Sequence, residues 1–201
     1  MMKLILASAS PRRAMLLSQV GIPYQVIIPD FSEMITEDIA PDQLVLEFAM
    51  KKARSVSCRL RSGLVLAADT VVWHRGKILG KPDNEEDARR MLRLLSNECH
   101  KVLTGIALVD VAAEKYETGY SETSVWMKQL SEEIIDAYIA TGEPMDKAGA
   151  YAIQGRAAIF IAKLEGCYFN IVGLPLGLLH DLLLKISLVS WYNWKDGDYA
   201  K

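Results

Sequence analysis

Residues 63–73 read GLVLAADTVVW. Apolar side chains fill almost every position rather than every second one, which is the pattern of a strand covered on both faces. Such strands belong to sheets with helices packed on both sides, so the run points to a layered α/β fold. Asp69 interrupts it. An uncompensated charge inside a sheet costs several kcal/mol, so this carboxylate needs a cation, a metal or a set of donors. It reads either as a strand-end residue capping the next turn, or as a metal ligand or general base at the mouth of the sheet.

Outward from that run, strands and helices interleave. Toward the N-terminus, LILASASPRRAMLLSQVG (residues 4–21) predicts a strand over Leu4–Ala7, a turn, and a helix. Ser10 suits the N-cap of that helix, Pro11 its first position and Gly21 its C-terminal stop. YQVIIP (24–29) predicts a second strand, and DFSEMITEDIAPDQ (30–43) an acidic connection. Val45, Ala49, Ala53, Val56 and Leu60 then recur at helical spacing. Lys51 and Lys52 on this helix, taken singly, read as a solvated face.

Toward the C-terminus, HRGK (74–77) predicts a hairpin turn, and GKP places Lys81 between two residues that fix the backbone. NEEDARRMLRLLS (84–96) predicts a helix capped by Asn84, with three acids in its first turn and Ala88, Met91, Leu92 and Leu95 facing inward. Strands follow over HKVLTGIALVDV (100–111) and ETSVWMKQL (122–130), and SEEIIDAYIATG (131–142) predicts a helix capped by Ser131. EPMDKAGAYAIQG (143–155) reads as a polar loop, with Asp146 and Lys147 as a surface ion pair and Gln154 as a turn residue. AAIFIAKLEG (157–166) predicts a strand, and a final helix begins at Pro175. The sheet is expected to be mixed, with flanking helices.

Composition narrows the function classes. A net charge of −2 disfavours a broad nucleic-acid-binding surface. No apolar run is long enough to span a bilayer, and MMKLILASAS is too short before SPRR to read as a signal peptide, so a cytoplasmic protein is expected. Cys58, Cys99 and Cys167 are odd in number and scattered, which fits reduced thiols and gives no zinc framework. His74, His100 and His180 lack metal-ligand spacing and read as surface or locally bonded side chains.

Arg12 and Arg13 stand where a helix dipole favours acids. Two readings remain open. The guanidiniums point into water at a cost of about 0.3–1 kcal/mol, or an anion completes the helix terminus, held by backbone N–H groups, the Ser8 and Ser10 hydroxyls and both arginines. A phosphate suits the second reading, because arginine forks match its oxygens.

LASASPRR, the Glu of DFSE, KKA, AADTVV, GKP, HKVLTG, EPMDKAGAYAIQG and NIVGLPL occur in this order. With them the chain, from about Lys3 to about Ile186, resembles the Maf family of nucleoside triphosphate pyrophosphatases. Where that family usually has Ser-Gly, this chain has Ser96-Asn97, and Asn tolerates a positive φ better than most residues. The resemblance implies one domain over residues 1–186, with two lobes around a central cleft as in the inosine triphosphate pyrophosphatase fold. It leaves 187–201 as a tail outside the pattern.

The resemblance also implies an activity. A nucleoside triphosphate is cut between the α and β phosphates with a divalent cation, Mg²⁺ or Mn²⁺, in a homodimer that cleans the nucleotide pool. Asp69 is then the proton acceptor, and Glu33 and Asp69 the metal ligands. Ser8, Arg12, Arg13, Lys52 and Lys81 bind phosphate. Arg13, Thr70 and Gln154 match the branch acting on dTTP and UTP, where a Gln amide offers both a donor and an acceptor to thymine or uracil. The competing readings are a 7-methyl-GTP or broad-specificity enzyme, and a nucleotide-binding regulator of septum formation without catalysis.

Overall fold

The computed structural model describes residues 4–31 and 39–186. Glu33 and the 187–201 tail lie outside the described residues. Strand β1 (Leu4–Leu6) leads into helix α1 (Pro11–Gln19) and strand β2 (Tyr24–Val26). Helix α2 (Pro41–Ser57) precedes the long strand β3 (Leu64–His74), which turns back at Arg75–Gly76 into β4 (Lys77–Leu79). Helix α3 (Glu85–Leu95), strands β5 (Cys99–Asp110) and β6 (Lys115–Met127) and helix α4 (Glu132–Ile139) follow, then β7 (Ile161–Glu165), α5 (Tyr168–Val172) and α6 (Leu176–Ile186).

The strands form one sheet in the order β2-β1-β3-β5-β6-β7, with β4 beside β3. It is mixed, as expected: β1 runs parallel to both β2 and β3, while β3–β4 and β6–β7 are antiparallel. Strand β3 is buried at all but two of its positions, the both-faces-covered strand that the apolar run predicted.

The chain groups into two compact units. One holds the described residues up to Asp69, Thr104–Ser121 and those from Gly173 on; the other holds Thr70–Leu103 and Glu122–Val172. In the first, Ala49, Ala53 and Val56 of α2 pack on Ile5 and Ala7, on Val65 and Ala67 of β3 and on Ala107 of β5. Small side chains at these contacts let helix and sheet approach closely. In the second, the inner stripe of α3 (Ala88, Met91, Leu92, Leu95) meets Ile135, Tyr138 and Ile139 of α4 together with Ala150, Tyr151 and Phe160. Full burial of a leucine such as Leu92 contributes about 1.5–3 kcal/mol.

The helix ends follow local chemistry. Asn84 caps α3 by accepting from the Asp87 amide at 2.9 Å, and Ser131 accepts from Ile134 at the start of α4. Helix α1 closes with paired bonds from Gly21 N to Ser18 O and from Ile22 N to Leu17 O, the pattern that satisfies the last carbonyls before a chain reversal. Asn97 adopts φ +57°, the left-handed conformation expected where the family usually carries glycine.

Three expectations need correcting. Strand β2 stops at Val26 rather than Pro29: it is an edge strand paired on one side, and Ile28 is 65% exposed. Strand β7 begins at Ile161 rather than Ala157, because Arg156–Phe160 winds a 3-10 turn that buries Ala157 and Phe160 three residues apart. The 143–155 loop is not irregular throughout, since 3-10 turns cover Glu143–Asp146 and Ala148–Ala150.

Candidate functional site

Parallel pairing builds the first part of the site. Leu6 of β1 faces Leu66 of β3, and the Ala7 amide donates to the Leu66 carbonyl at 2.7 Å. The turn that leaves β1 therefore runs level with Ala67–Asp69. Ligands of open α/β sheets gather at such carboxyl ends of parallel strands. The Ser8 hydroxyl, buried at 4% exposure, accepts from the Ser10 amide at 3.1 Å and from Arg13 Nη1 at 3.3 Å. Arg13 Nε donates to the Gly173 carbonyl at 2.8 Å, so the guanidinium is fixed on both edges. Arg12 lies half-buried in the same first helical turn. Ser10 occupies the N-cap position but its side chain makes no capping bond, unlike Asn84 and Ser131.

Asp69 has a cation. Lys52 Nζ donates to its Oδ1 at 2.5 Å, with side-chain exposures of 11% for Lys52 and 7% for Asp69. The ammonium also lies 5.5 Å from the centre of the Phe31 ring, which packs edge-on against Phe48. This corrects the reading of Lys52 as solvated. Lys51 does face water and pairs with Glu47, whereas Lys52 falls on the buried stripe between Phe48, Ala49, Ala53 and Val56. Its position three residues after Ala49 and four after Phe48 was a usable signal: a lysine on the apolar stripe requires a partner inside.

Thr70 follows Asp69 on β3 and begins the second unit. Lys81 is exposed, and the carbonyl of the preceding Gly80 accepts from the Gly149 amide at 2.9 Å, which ties the GKP and DKAG segments together. Asp146 and Lys147 form the expected ion pair. Gly149 and Ala150 are consecutive left-handed residues, φ +68° and +58°, both buried. A Cβ on Gly149 would meet the Val72 methyls at 3.0–3.2 Å. Gln154 follows three buried residues, Tyr151–Ile153, and is itself exposed.

The side chains that hold this second segment were not found from sequence. Tyr138 donates through its hydroxyl to Glu143 Oε1 at 2.8 Å and accepts from the Ala152 amide at 3.2 Å. Burial and the neighbouring carboxylate push its phenol above the ordinary tyrosine range. His100, only 2% exposed, meets the buried Tyr151 hydroxyl through Nε2 at 2.7 Å, while its Nδ1 has no hydrogen-bond partner. Desolvation lowers the His100 pKa to about 3, so the ring is neutral. The helical spacing of Ile135, Tyr138 and Ile139 marks Tyr138 as inward-facing, but nothing local to it says where its hydroxyl ends.

Among the described residues no group of three or more His, Cys, Asp or Glu side chains converges as a metal cage. Asp69 alone suits a hard cation that takes one or two carboxylates and completes its shell with phosphate oxygens and water.

The architecture is one already known. A solved structure of the Ham1 protein from Staphylococcus aureus is similar over 92% of this chain and 100% of that one, with a TM-score of 0.51 and 14% identity, which establishes the fold alone. It is the mixed-sheet α/β fold of inosine triphosphate pyrophosphatase type that the motifs implied. The family model for Maf-like protein matches residues 3–186, and the chain belongs to this family. Two curated relatives, both named dTTP/UTP pyrophosphatase, are similar across nearly their whole length. One, from Pelotomaculum thermopropionicum, is 47% identical over 187 residues, covering 93% of this chain and 98% of that protein. The other, from Caldicellulosiruptor saccharolyticus, is 44% identical over 191 residues, covering 93% and 96%.

Proposed function

We propose that this chain is a nucleoside triphosphate pyrophosphatase that hydrolyses dTTP and UTP between the α and β phosphates, releasing the monophosphate and pyrophosphate. The observation that carries the reading is the pairing at the ends of β1 and β3: an arginine-bearing turn at a helix terminus beside a buried carboxylate held by a lysine. A polyanion suits the amides, the Ser8 hydroxyl and the guanidiniums of that turn. Ser10 leaves the capping role to such a ligand.

In the reaction, a water oxygen bonds to a phosphorus of the α–β anhydride. Its proton passes to the Asp69 carboxylate, and the bridging P–O bond breaks with its electron pair on the departing group. Lys52 orients Asp69 and balances its charge. Its expected role on phosphate makes the bound polyanion and Asp69 competitors for one ammonium. Arg12, Arg13 and Lys81 neutralise the phosphates. Asp69, with Glu33 as its expected companion, would hold Mg²⁺ or Mn²⁺, which when bound lowers the pKa of a coordinated water and draws charge from phosphate oxygens.

Base choice falls to Arg13, Thr70 and Gln154. The Gln154 amide is exposed beyond a buried segment, and it offers an acceptor for N3–H and a donor for a carbonyl of thymine or uracil. A single functional domain to Ile186, a homodimer, a cytoplasmic site of action in nucleotide-pool cleaning, and no nucleic-acid or membrane partner belong to the same proposal. No helix among the described residues is long and apolar enough to cross a membrane.

The test is pyrophosphate release from a panel of triphosphates with Mg²⁺ or Mn²⁺. Turnover of dTTP and UTP above 7-methyl-GTP is expected, and Asp69→Asn is expected to bind dTTP while losing at least about 10²-fold in kcat, the lower scale of general-base loss. A wild-type protein that binds dTTP and never turns it over would overturn the enzyme reading in favour of a regulator.

A further inference from the structure

Gln154 lies midway between two backbone amides that are anchored by side chains from elsewhere. The Ala152 amide donates to the Tyr138 hydroxyl at 3.2 Å, and the Arg156 amide donates to Glu143 Oε2 at 3.1 Å. Tyr138 and Glu143 are themselves joined, phenol to Oε1, at 2.8 Å. The clasp therefore runs from residue 152 through a phenol and a carboxylate to residue 156, with Gln154 at the centre of the arc. A bond from Gly155 N to Ala152 O at 3.0 Å closes the turn beneath it.

Three further features fix the geometry of the arc. The Glu143 carboxylate lies directly over Gly155, where a Cβ would stand 2.3 Å from Oε1 and 2.6 Å from Oε2. Any side chain at 155 would displace the carboxylate and with it the Arg156 amide. The residue before Ala152 is pinned independently, by the bond between Tyr151 and His100, whose rings meet edge to face at 5.4 Å. Glu143 is also fixed at its own backbone, its amide donating to the Thr141 hydroxyl at 3.2 Å.

We propose that Tyr138 and Glu143 are positioning residues for base selection: they set the height and direction of Gln154, and so the preference of the enzyme among nucleotide bases. The inference rests on the dTTP/UTP reading of the site. Both residues are bonded to each other and to this backbone. Their effect passes through the two amides on either side of Gln154, so it exists only while the Gln154 amide is there to be aimed.

That dependence gives the experiment. Wild type, Tyr138→Phe, Gln154→Ala and the double variant are assayed for pyrophosphate release from dTTP and dATP, with thermal unfolding of each recorded alongside. Tyr138→Phe is expected to lower kcat/KM for dTTP about tenfold, the scale of one hydrogen bond to a charged group, chiefly through KM, and to narrow the dTTP-over-dATP ratio. In the Gln154→Ala background the same change is expected to cost no more than about twofold, within the usual tolerance for independent sites. Full additivity overturns the proposal, since it makes Tyr138 a purely structural residue. Glu143→Gln, which keeps one carbonyl oxygen, and Glu143→Ala, which keeps none, form the second arm should Tyr138→Phe fail to fold. Glu143→Gln is expected to retain more of the dTTP preference than Glu143→Ala, and equal loss of preference overturns the inference. A wild type inactive on dTTP fails the enzyme reading itself, an outcome distinct from additivity among active variants.

Discussion

At the residue scale, the decisive pair is Lys52 and Asp69. Each alone in a dry interior would cost several kcal/mol, and together they remain a compromise between desolvation and attraction. Removing one partner takes this buried ion pair from the other without returning it to water. Lys52→Met is therefore expected to lower unfolding stability by about 3 kcal/mol, measured by urea denaturation, and the double change Lys52→Met/Asp69→Asn is expected to recover part of that loss. Half of this pair was legible from sequence. An aspartate inside an apolar run announces that it needs compensation, but the position of its cation 17 residues earlier depends on how α2 lies against β3. The stripe that carries Lys52 is visible in the sequence, yet a lysine beside another lysine reads as surface.

At the element scale, the starts of α1 and α3 contrast. Helix α3 has a side-chain cap and three acids in its first turn, whereas α1 has neither. Asn84→Ala is expected to cost about 1 kcal/mol, while Ser10→Ala, which removes no capping bond, is expected to leave unfolding stability within about 0.5 kcal/mol of wild type. If the α1 terminus receives phosphate, Ser10→Ala acts instead on pyrophosphate affinity, which calorimetric titration reads directly. Element types were largely legible because periodicity and caps are local: the inner stripe of α3 and the Arg75–Gly76 hairpin follow from neighbours within a few residues, while the Asn97 turn follows from the family resemblance. What escaped was the 143–156 segment. Its shape is dictated by the Tyr138 hydroxyl, by Gly80 and by His100, partners that lie 14, 69 and 51 residues from the groups they hold.

At the scale of the whole molecule, His100 ties stability to acidity. Its folded-state pKa of about 3 lies below the ordinary histidine value of 6.5, so between those limits the unfolded chain binds more protons than the native one. Stability is then complete above about pH 6.5 and falls as pH drops, by up to about 1.4 kcal/mol per pH unit from this group. Unfolding free energy measured from pH 7.5 to 4.5 is expected to carry this slope, and His100→Gln is expected to flatten it. No linker in the sequence marks the two units, because β3, β5 and β6 each contribute residues to both.

The paired left-handed residues Gly149 and Ala150 set a boundary on how this protein can diversify. With Val72 against one and a methyl already in the left-handed region at the other, a larger residue at either position is expected to cost stability. On the proposed reading of Gln154, a new ligand preference is reached at less cost through that exposed position than through the elbow beneath it.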